Sequence, residues 1–246
     1  MSKFDLTNTS FIIHYRKDSL DRAFNLRTIC RFFLEKIDYG QLIIINDNNK
    51  VDDEMEQFKN NVNNIVPLFF QNDDHFKKSA SFNAASNYAT GELLCFYDVD
   101  VLIEPRFLKE AQDKILRGEY DHIYPFNGTF FNVKQEYFPR FLNTFNFELL
   151  LLSKELEYLE FASDTSPGGC NIISKEAFKK IGGYDESFIG WGFEDTDFKE
   201  RSCRQNKIHY LSDKDAICWH LNHDNSIRLE NPHYQRNLQI FIKNNR

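Results

Sequence analysis

The feature that most constrains the fold is the run Leu93-Leu-Cys-Phe-Tyr97, five apolar residues that lead into Asp98-Val-Asp100. It is short and uninterrupted, as a strand buried on both faces should be. Such strands belong to sheets covered by helices on both sides, where ligands collect at the carboxyl ends of the strands. The two aspartates stand at that end. Strand residues two apart share a face, so both carboxylates are expected to point the same way. Two hard oxygen donors on one side suit a divalent cation, and the cation suits a diphosphate. A solvated turn can also carry Asp-x-Asp, so the rest of the chain has to decide.

The flanking sequence repeats the strand pattern. Ser10–Tyr15 reads as a first strand, after which Asp18 or Ser19 can cap a long helix. That helix carries Leu20, Ala23, Phe24, Leu26, Ile29, Cys30, Phe33, Leu34 and Ile37 at helical spacing. Gly40 is expected to end it before a second strand, Gln41–Asn46. A short helix near 52–61, a third strand Ile65–Phe70 and a helix over 75–90 closed by Gly91 complete the first half. This β-α-β-α-β-α-β order predicts an α/β fold with a mostly parallel central sheet and helices on both faces. Pro105 opens a helix to about Leu116. Phe145–Leu152 fits helix or strand equally by periodicity. Ser166–Ser174 reads as a turn into a strand, and Lys175–Ile181 as a helix closed by Gly182-Gly183.

The 246 residues contain no repeat or linker, so one domain is expected over 1–246. Its parts are a nucleotide-binding half (1–104), an acceptor and catalytic half (105–225) and a C-terminal helix (226–246). That helix is amphipathic, with Leu229, Leu238, Ile240, Phe241 and Ile242 among basic residues. It is expected to pack on the domain, with docking to a membrane or partner as the alternative. Net charge is −7, which argues against a general nucleic-acid or anionic-membrane surface. Five scattered cysteines without a Cys-x-x-Cys pair read as buried thiols in a reducing cytosol. No signal-peptide pattern opens the chain, and no apolar run nears the roughly 18 residues of a membrane span. The expected location is the cytoplasm, with peripheral association at the inner membrane as its extension.

A second constellation is Phe188-Ile-Gly-Trp-Gly-Phe-Glu194-Asp195-Thr-Asp197-Phe198. Gly190 and Gly192 let a loop bend or close. Trp191 offers a flat face for the C–H side of a sugar ring. Glu194 and Asp195 fall at the start of a helix, where the macrodipole favours carboxylates and lowers their pKa. Simple helix capping would explain the acids but not the indole between two glycines. A third piece, Cys218-Trp-His220-Leu-Asn-His223, puts two imidazoles three apart beyond an apolar stretch. Imidazole with carboxylate and phosphate oxygen suits Mn²⁺, whereas Mg²⁺ prefers more oxygen. His14, His75, His122, His209 and His233 read as ordinary core or surface residues.

These three motifs, in this order, resemble the GT-A glycosyltransferases of family 2. Gly182-Gly-Tyr-Asp-Glu-Ser-Phe-Ile-Gly-Trp-Gly-Phe-Glu-Asp-Thr-Asp-Phe is similar to the C-terminal motif of β-1,4-galactosyltransferases, polypeptide N-acetylgalactosaminyltransferases and bacterial chondroitin-type polymerases. The resemblance covers roughly 10–225. It implies a UDP-sugar donor, a saccharide or lipid-linked saccharide acceptor and Mn²⁺ or Mg²⁺ as cofactor. It also implies roles: Arg16 facing a phosphate or the uracil, Asp47 on the uracil, and Lys78 and Asn83 near the donor. Ser81-Phe82-Asn83 stands where the family has Arg-Asn. Asp98 would bind ribose or donor sugar and Asp100 the metal, with His223 and His220 as further ligands, His220 replacing the family's Met. Trp191, Gly192 and Glu194 would shape the acceptor pocket, and Asp195 would be the catalytic base. Single displacement at an α-linked UDP-sugar, galactose or N-acetylgalactosamine favoured, would then give a β-glycoside for bacterial surface polysaccharide. A sugar-nucleotide pyrophosphorylase would need a glycine-rich loop where His14–Ser19 has no glycine. The remaining rival is a non-catalytic binding module on the same fold.

Overall fold

The computed structural model describes residues 2–17, 19–47, 65–69, 76–133, 138–157, 167–221 and 232–245. Strand β1 (Phe4–Tyr15) leads into α1 (Leu20–Lys36), whose Ser19 cap accepts from the Arg22 amide, and then β2 (Ile37–Asn46). β3 (Ile65–Phe69), α2 (Lys78–Ser86), β4 (Leu93–Asp98) and β5 (Val101–Leu102) follow. Pro105 occupies the first turn of α3 (Pro105–Leu116), as its fixed φ favours. Next come β6 (His122–Tyr124), β7 (Phe130–Val133), α4 (Phe138–Leu142) and α5 (Phe147–Glu157), so the ambiguous Phe145–Leu152 segment is mostly helical. The second half continues with β8 (Cys170–Ser174), α6 (Lys175–Lys180) and α7 (Glu194–Cys203). β9 (Ile208–Tyr210), β10 (Cys218–Leu221) and α8 (Tyr234–Asn244) complete the described elements. The expected helix near 52–61 lies outside the described residues, as does Asp18.

Seven strands form the central sheet in the order β3-β2-β1-β4-β8-β6-β9. The first four run parallel; β8 is antiparallel to both β4 and β6. Alternate residues of one strand enter different cores. Phe11, Ile13 and Tyr15 of β1 join Phe33 and Tyr97 on one face, while Ile12 joins Phe82, Phe96 and Phe198 on the other. That is the both-faces burial expected of the apolar runs. On the second face Tyr184 stacks on Phe198 of α7 at 3.9 Å between ring centroids and meets Phe96 of β4 at 5.1 Å, tying the loop before α7 to helix and sheet alike.

Two local expectations are corrected. Gly40 does not end α1; β2 begins directly after Lys36, and Gly40 lies within the strand. A Cβ there would stand 2.1 Å from the Thr7 carbonyl oxygen, next to a register shift in the β1–β2 pairing. The glycine is set by close backbone approach. Leu20 and Phe24 do not join the core face of α1, being 84% and 41% exposed. Cys30, Cys95, Cys170 and Cys218 are buried free thiols as expected, and Cys203 is exposed.

Candidate active site

The carboxyl end of β4 is the centre of the site, because Asp98 is the last residue of that strand. Asp100 is not on the strand; it lies in the turn before β5, where its carbonyl accepts from the Leu221 amide at 2.7 Å. Strand alternation therefore does not set its side chain, and the two aspartates meet different cations. Asp98 pairs with Lys78 Nζ at 2.9 Å and accepts from the Gly169 amide at 3.2 Å. Asp100 pairs with Arg22 Nη1 at 2.7 Å.

A small sheet, β5-β10-β7, brings His220 to Asp100. β10 pairs His220 with Val101 on one side and Asn132 on the other. Its Nδ1 donates to Asn132 Oδ1 at 2.7 Å, and its Nε2 stands 3.8 Å from Asp100 Oδ2. Donating one ring N–H to an oxygen acceptor, which leaves the other nitrogen's lone pair to face a cation, is how metal-binding imidazoles are commonly oriented. The separation fits a shared ion, since two ligands each about 2.1 Å from one cation stand at most about 4.2 Å apart. His223 lies outside the described residues, and among those described no group of three metal-ligating side chains occurs. Asp100 and His220 thus fit part of a divalent site.

Lys78, on the first turn of α2, sits among three carboxylates. It reaches Asp195 Oδ2 at 3.0 Å and Glu194 Oε1 at 4.0 Å besides Asp98. Burial alone would lower its pKa, but Asp195, Asp98 and Glu194 together hold the ammonium well above its usual value. Asp195 shows the opposite of the expected macrodipole effect. Its pKa is pushed up to about 7, first by burial, with Lys78 pulling it down and Glu194 and Asp98 pushing it up. Removing a carboxylate from water here outweighs the helix terminus. Gly168 comes close behind: a Cβ there would be 3.2 Å from Asp195 Oδ2.

Before α7 the chain turns through Gly190, Gly192 and Phe193 at φ of 73°, 115° and 70°. Glu194 accepts from the Gly192 amide at 2.8 Å and stays buried, while Trp191 is 40% exposed. The loop is held by α8. Arg236 Nη1 donates to the Ser187 carbonyl at 2.7 Å, and buried Asn237 donates to the Ile189 carbonyl at 2.9 Å. Tyr234 stacks on Trp191 at 6.3 Å and Phe241 on Phe193 at 5.5 Å. The amphipathic C-terminal helix therefore packs on the domain.

Other sequence-selected residues fall nearby. Asp47, buried beyond β2, accepts from His14 Nε2 at 3.1 Å, and Arg16 follows the end of β1. Asn83 uses its amide on the loop, donating to the Tyr184 carbonyl at 2.8 Å and accepting from the Tyr184 amide at 2.9 Å. His122 is a core residue, as expected; its Nε2 donates to Asn171 and its Nδ1 accepts from Ser202. Sequence reasoning missed Arg22, Asn132 and Tyr234, which carry no motif and are recruited only by tertiary packing.

The sequence matches the family model described as glycosyltransferase like family 2 over residues 13–212. No curated protein matches it. The fold is similar to the crystal structure of GalNAc-T7 with UDP, GalNAc and Mn²⁺, at a TM-score of 0.65 and 12% identity over 96% of this chain and 47% of that one. It is also similar to S. aureus TarS 1–349 in complex with UDP-GlcNAc, at a TM-score of 0.62 and 14% identity over 96% of this chain and 66% of that one. This chain thus spans about half of the first and just under two thirds of the second. At such identities the likeness establishes the GT-A fold.

Proposed function

The chain belongs to the glycosyltransferase-like family 2, and we propose that it is an inverting, metal-dependent glycosyltransferase using a UDP-sugar. It would move a hexose or N-acetylhexosamine, galactose or N-acetylgalactosamine favoured, to a hydroxyl of a free or lipid-linked saccharide in bacterial surface polysaccharide synthesis. The observation that carries this reading is Asp195, a carboxylate with its pKa pushed up to about 7, which shares Lys78 with Asp98 at the end of β4 and lies in the first turn of the helix that follows the Trp191 loop. A base poised near neutrality can take a proton without being permanently protonated or too weakly basic.

In the reaction, the acceptor ring lies against Trp191 and its hydroxyl faces Asp195 Oδ. As the hydroxyl oxygen attacks the anomeric carbon from the face opposite UDP, its proton passes to Asp195 and the bond to the diphosphate breaks. Inversion follows from the single displacement. Lys78 keeps Asp195 ionisable by offsetting the charge of Asp98 and Glu194. In this reading Asp98 holds the ribose or donor sugar, Asp47 the uracil and Arg16, just past the carboxyl end of β1, a phosphate or the uracil, with Asn83 near the donor and bonded to the loop. A divalent cation held by Asp100 and His220, with His223 as the third candidate, would neutralise the charge that grows on the leaving diphosphate. Among the described residues no helix is long and apolar enough to cross a membrane.

The test is UDP release across a panel of UDP-sugars and saccharide acceptors with Mn²⁺. Release with one donor, abolished by Asp100→Ala and reduced about 10²–10⁴-fold by Asp195→Asn, is the expected result. Undiminished turnover in Asp195→Asn, or a product with retained anomeric configuration, would overturn the proposed base. UDP binding with no release under any pairing would favour the non-catalytic module.

A further inference from the structure

Arg22 carries no motif signal, yet its guanidinium lies on the aspartate assigned above to the metal. Asp100 is 5% exposed, and a carboxylate so buried needs a cation. Arg22 Nη1 supplies it, 2.7 Å from Oδ2. His220 Nε2 stands 3.8 Å from that same oxygen. A cation shared by Oδ2 and Nε2 would bind the oxygen that Arg22 holds, and two cations on one carboxylate oxygen repel. The ion pair and a metal at this position therefore compete.

We propose that Arg22 is the resident counter-ion of Asp100, that a divalent cation displaces it, and that the released guanidinium binds the donor's diphosphate. The inference rests on the transferase reading above. Arg22 is well placed for such an exchange. Its backbone is fixed in the first turn of α1, where its amide donates to Ser19 Oγ at 3.2 Å. Its side chain is long and 25% exposed, against 7% for that of Asp100, so it forms the solvent side of the pair. The planar fork of a guanidinium matches a phosphate as well as it matches a carboxylate. Displacement thus exchanges one anionic partner for another, provided that the diphosphate arrives with the metal. Metal alone has to break the Arg22–Asp100 pair without the diphosphate to receive the guanidinium. Weak metal binding without nucleotide, and strong binding with it, follows from this exchange.

Calorimetric titration of Mn²⁺ alone, and of UDP at saturating Mn²⁺, tests the idea in the wild type, Arg22→Ala and Arg22→Lys. Arg22→Ala should bind Mn²⁺ alone about tenfold more tightly, because the competitor is gone. The same variant should bind UDP in the presence of Mn²⁺ about tenfold more weakly, because a charged hydrogen bond to phosphate is lost. Arg22→Lys keeps the charge without the fork, so its UDP affinity should fall while its affinity for Mn²⁺ alone stays near wild type. It carries the test if circular dichroism shows Arg22→Ala unfolded. Unchanged UDP affinity in both variants, or weaker binding of Mn²⁺ alone by folded Arg22→Ala, would overturn the proposal while leaving the transferase reading intact. A wild type that binds no UDP with Mn²⁺ would remove that reading, and this inference with it.

Discussion

Replacing Lys78 by methionine should move the pH at which the enzyme switches on. Lys78 Nζ is 3.0 Å from Asp195 Oδ2, 2.9 Å from Asp98 and 4.0 Å from Glu194, with its side chain almost fully buried. Two unit charges 3.0 Å apart interact by about 5 kcal/mol at an effective dielectric constant of about 20. Taken whole, that equals about 4 pK units. Lys78 divides its field among three carboxylates, so the shift expected at Asp195 is about 1–3 units, the usual range for an acid losing a close cation. In the wild type the acid limb of kcat/KM for UDP release should lie at about 7, where Asp195 ionises. In Lys78→Met it should lie above 8. A rise of one unit alone would cut the ionised fraction at pH 7 from about a half to about a tenth. Lys78→Arg keeps the charge and should bring the limb most of the way back. A limb in the same place for wild type and Lys78→Met would refute the claim that Lys78 tunes the base. A wild-type limb near pH 4 would instead mean that burial does not govern Asp195.

Other consequences are equally direct. Gly40→Ala puts a Cβ 2.1 Å from the Thr7 carbonyl oxygen, so β1 and β2 have to separate; the expected loss is about 3 kcal/mol or more in urea unfolding. Wild-type stability would mean that the strands can slide apart without cost. Gly192→Ala strains a residue at φ 115° by about 1–3 kcal/mol and presses on Tyr234 at 3.2 Å. It should raise the acceptor KM, and the loop assignment fails if UDP binding with Mn²⁺ weakens instead. Burial pushes the His122 pKa down to about 3, so as pH falls below about 6.5 the unfolded chain takes up a proton that the folded one refuses. Asp195 acts oppositely: between about 4 and about 7 the folded chain holds the extra proton, so its contribution falls as pH rises. Asp195→Asn should therefore make stability drop more steeply from pH 6.5 to 4, by about 1.4 kcal/mol per pH unit. Parallel urea-midpoint curves for variant and wild type would show that Asp195 titrates elsewhere.

What the sequence revealed and what it hid divide along the range of the interactions. β4 and its terminal aspartate were legible because a buried strand writes itself as an unbroken apolar run. α3 was legible because Pro105 marks its start, and Ser19 capped α1 as its side chain allows. Gly40 misled because a glycine after a helical stretch looks the same whether it caps the helix or makes room for Thr7, more than thirty residues away. The strand rule failed for Asp100 because β4 ends two residues earlier. The charge state of Asp195 was hidden for a similar reason. Its helix terminus is local and visible, whereas burial and the cation from α2 are products of folding. Arg22 and Asn132 were invisible at the level of motifs, since each acquires meaning only from the partner that packing brings to it.

The clamp on the loop that carries Trp191 has a bearing on how the protein is made. Asn237 follows by 48 residues the Ile189 carbonyl it holds, and Arg236 and Tyr234 likewise postdate their partners. A polypeptide emerging from the ribosome presents the indole and its two glycines first, with their fasteners still untranslated. A nascent chain arrested at residue 231 would carry every described strand but should be cut by protease within 187–193, where the longer chain resists. Order of synthesis thus makes the Trp191 loop the later part of the candidate site to mature, and a translating ribosome would carry Asp98 and its strand before that loop is fastened.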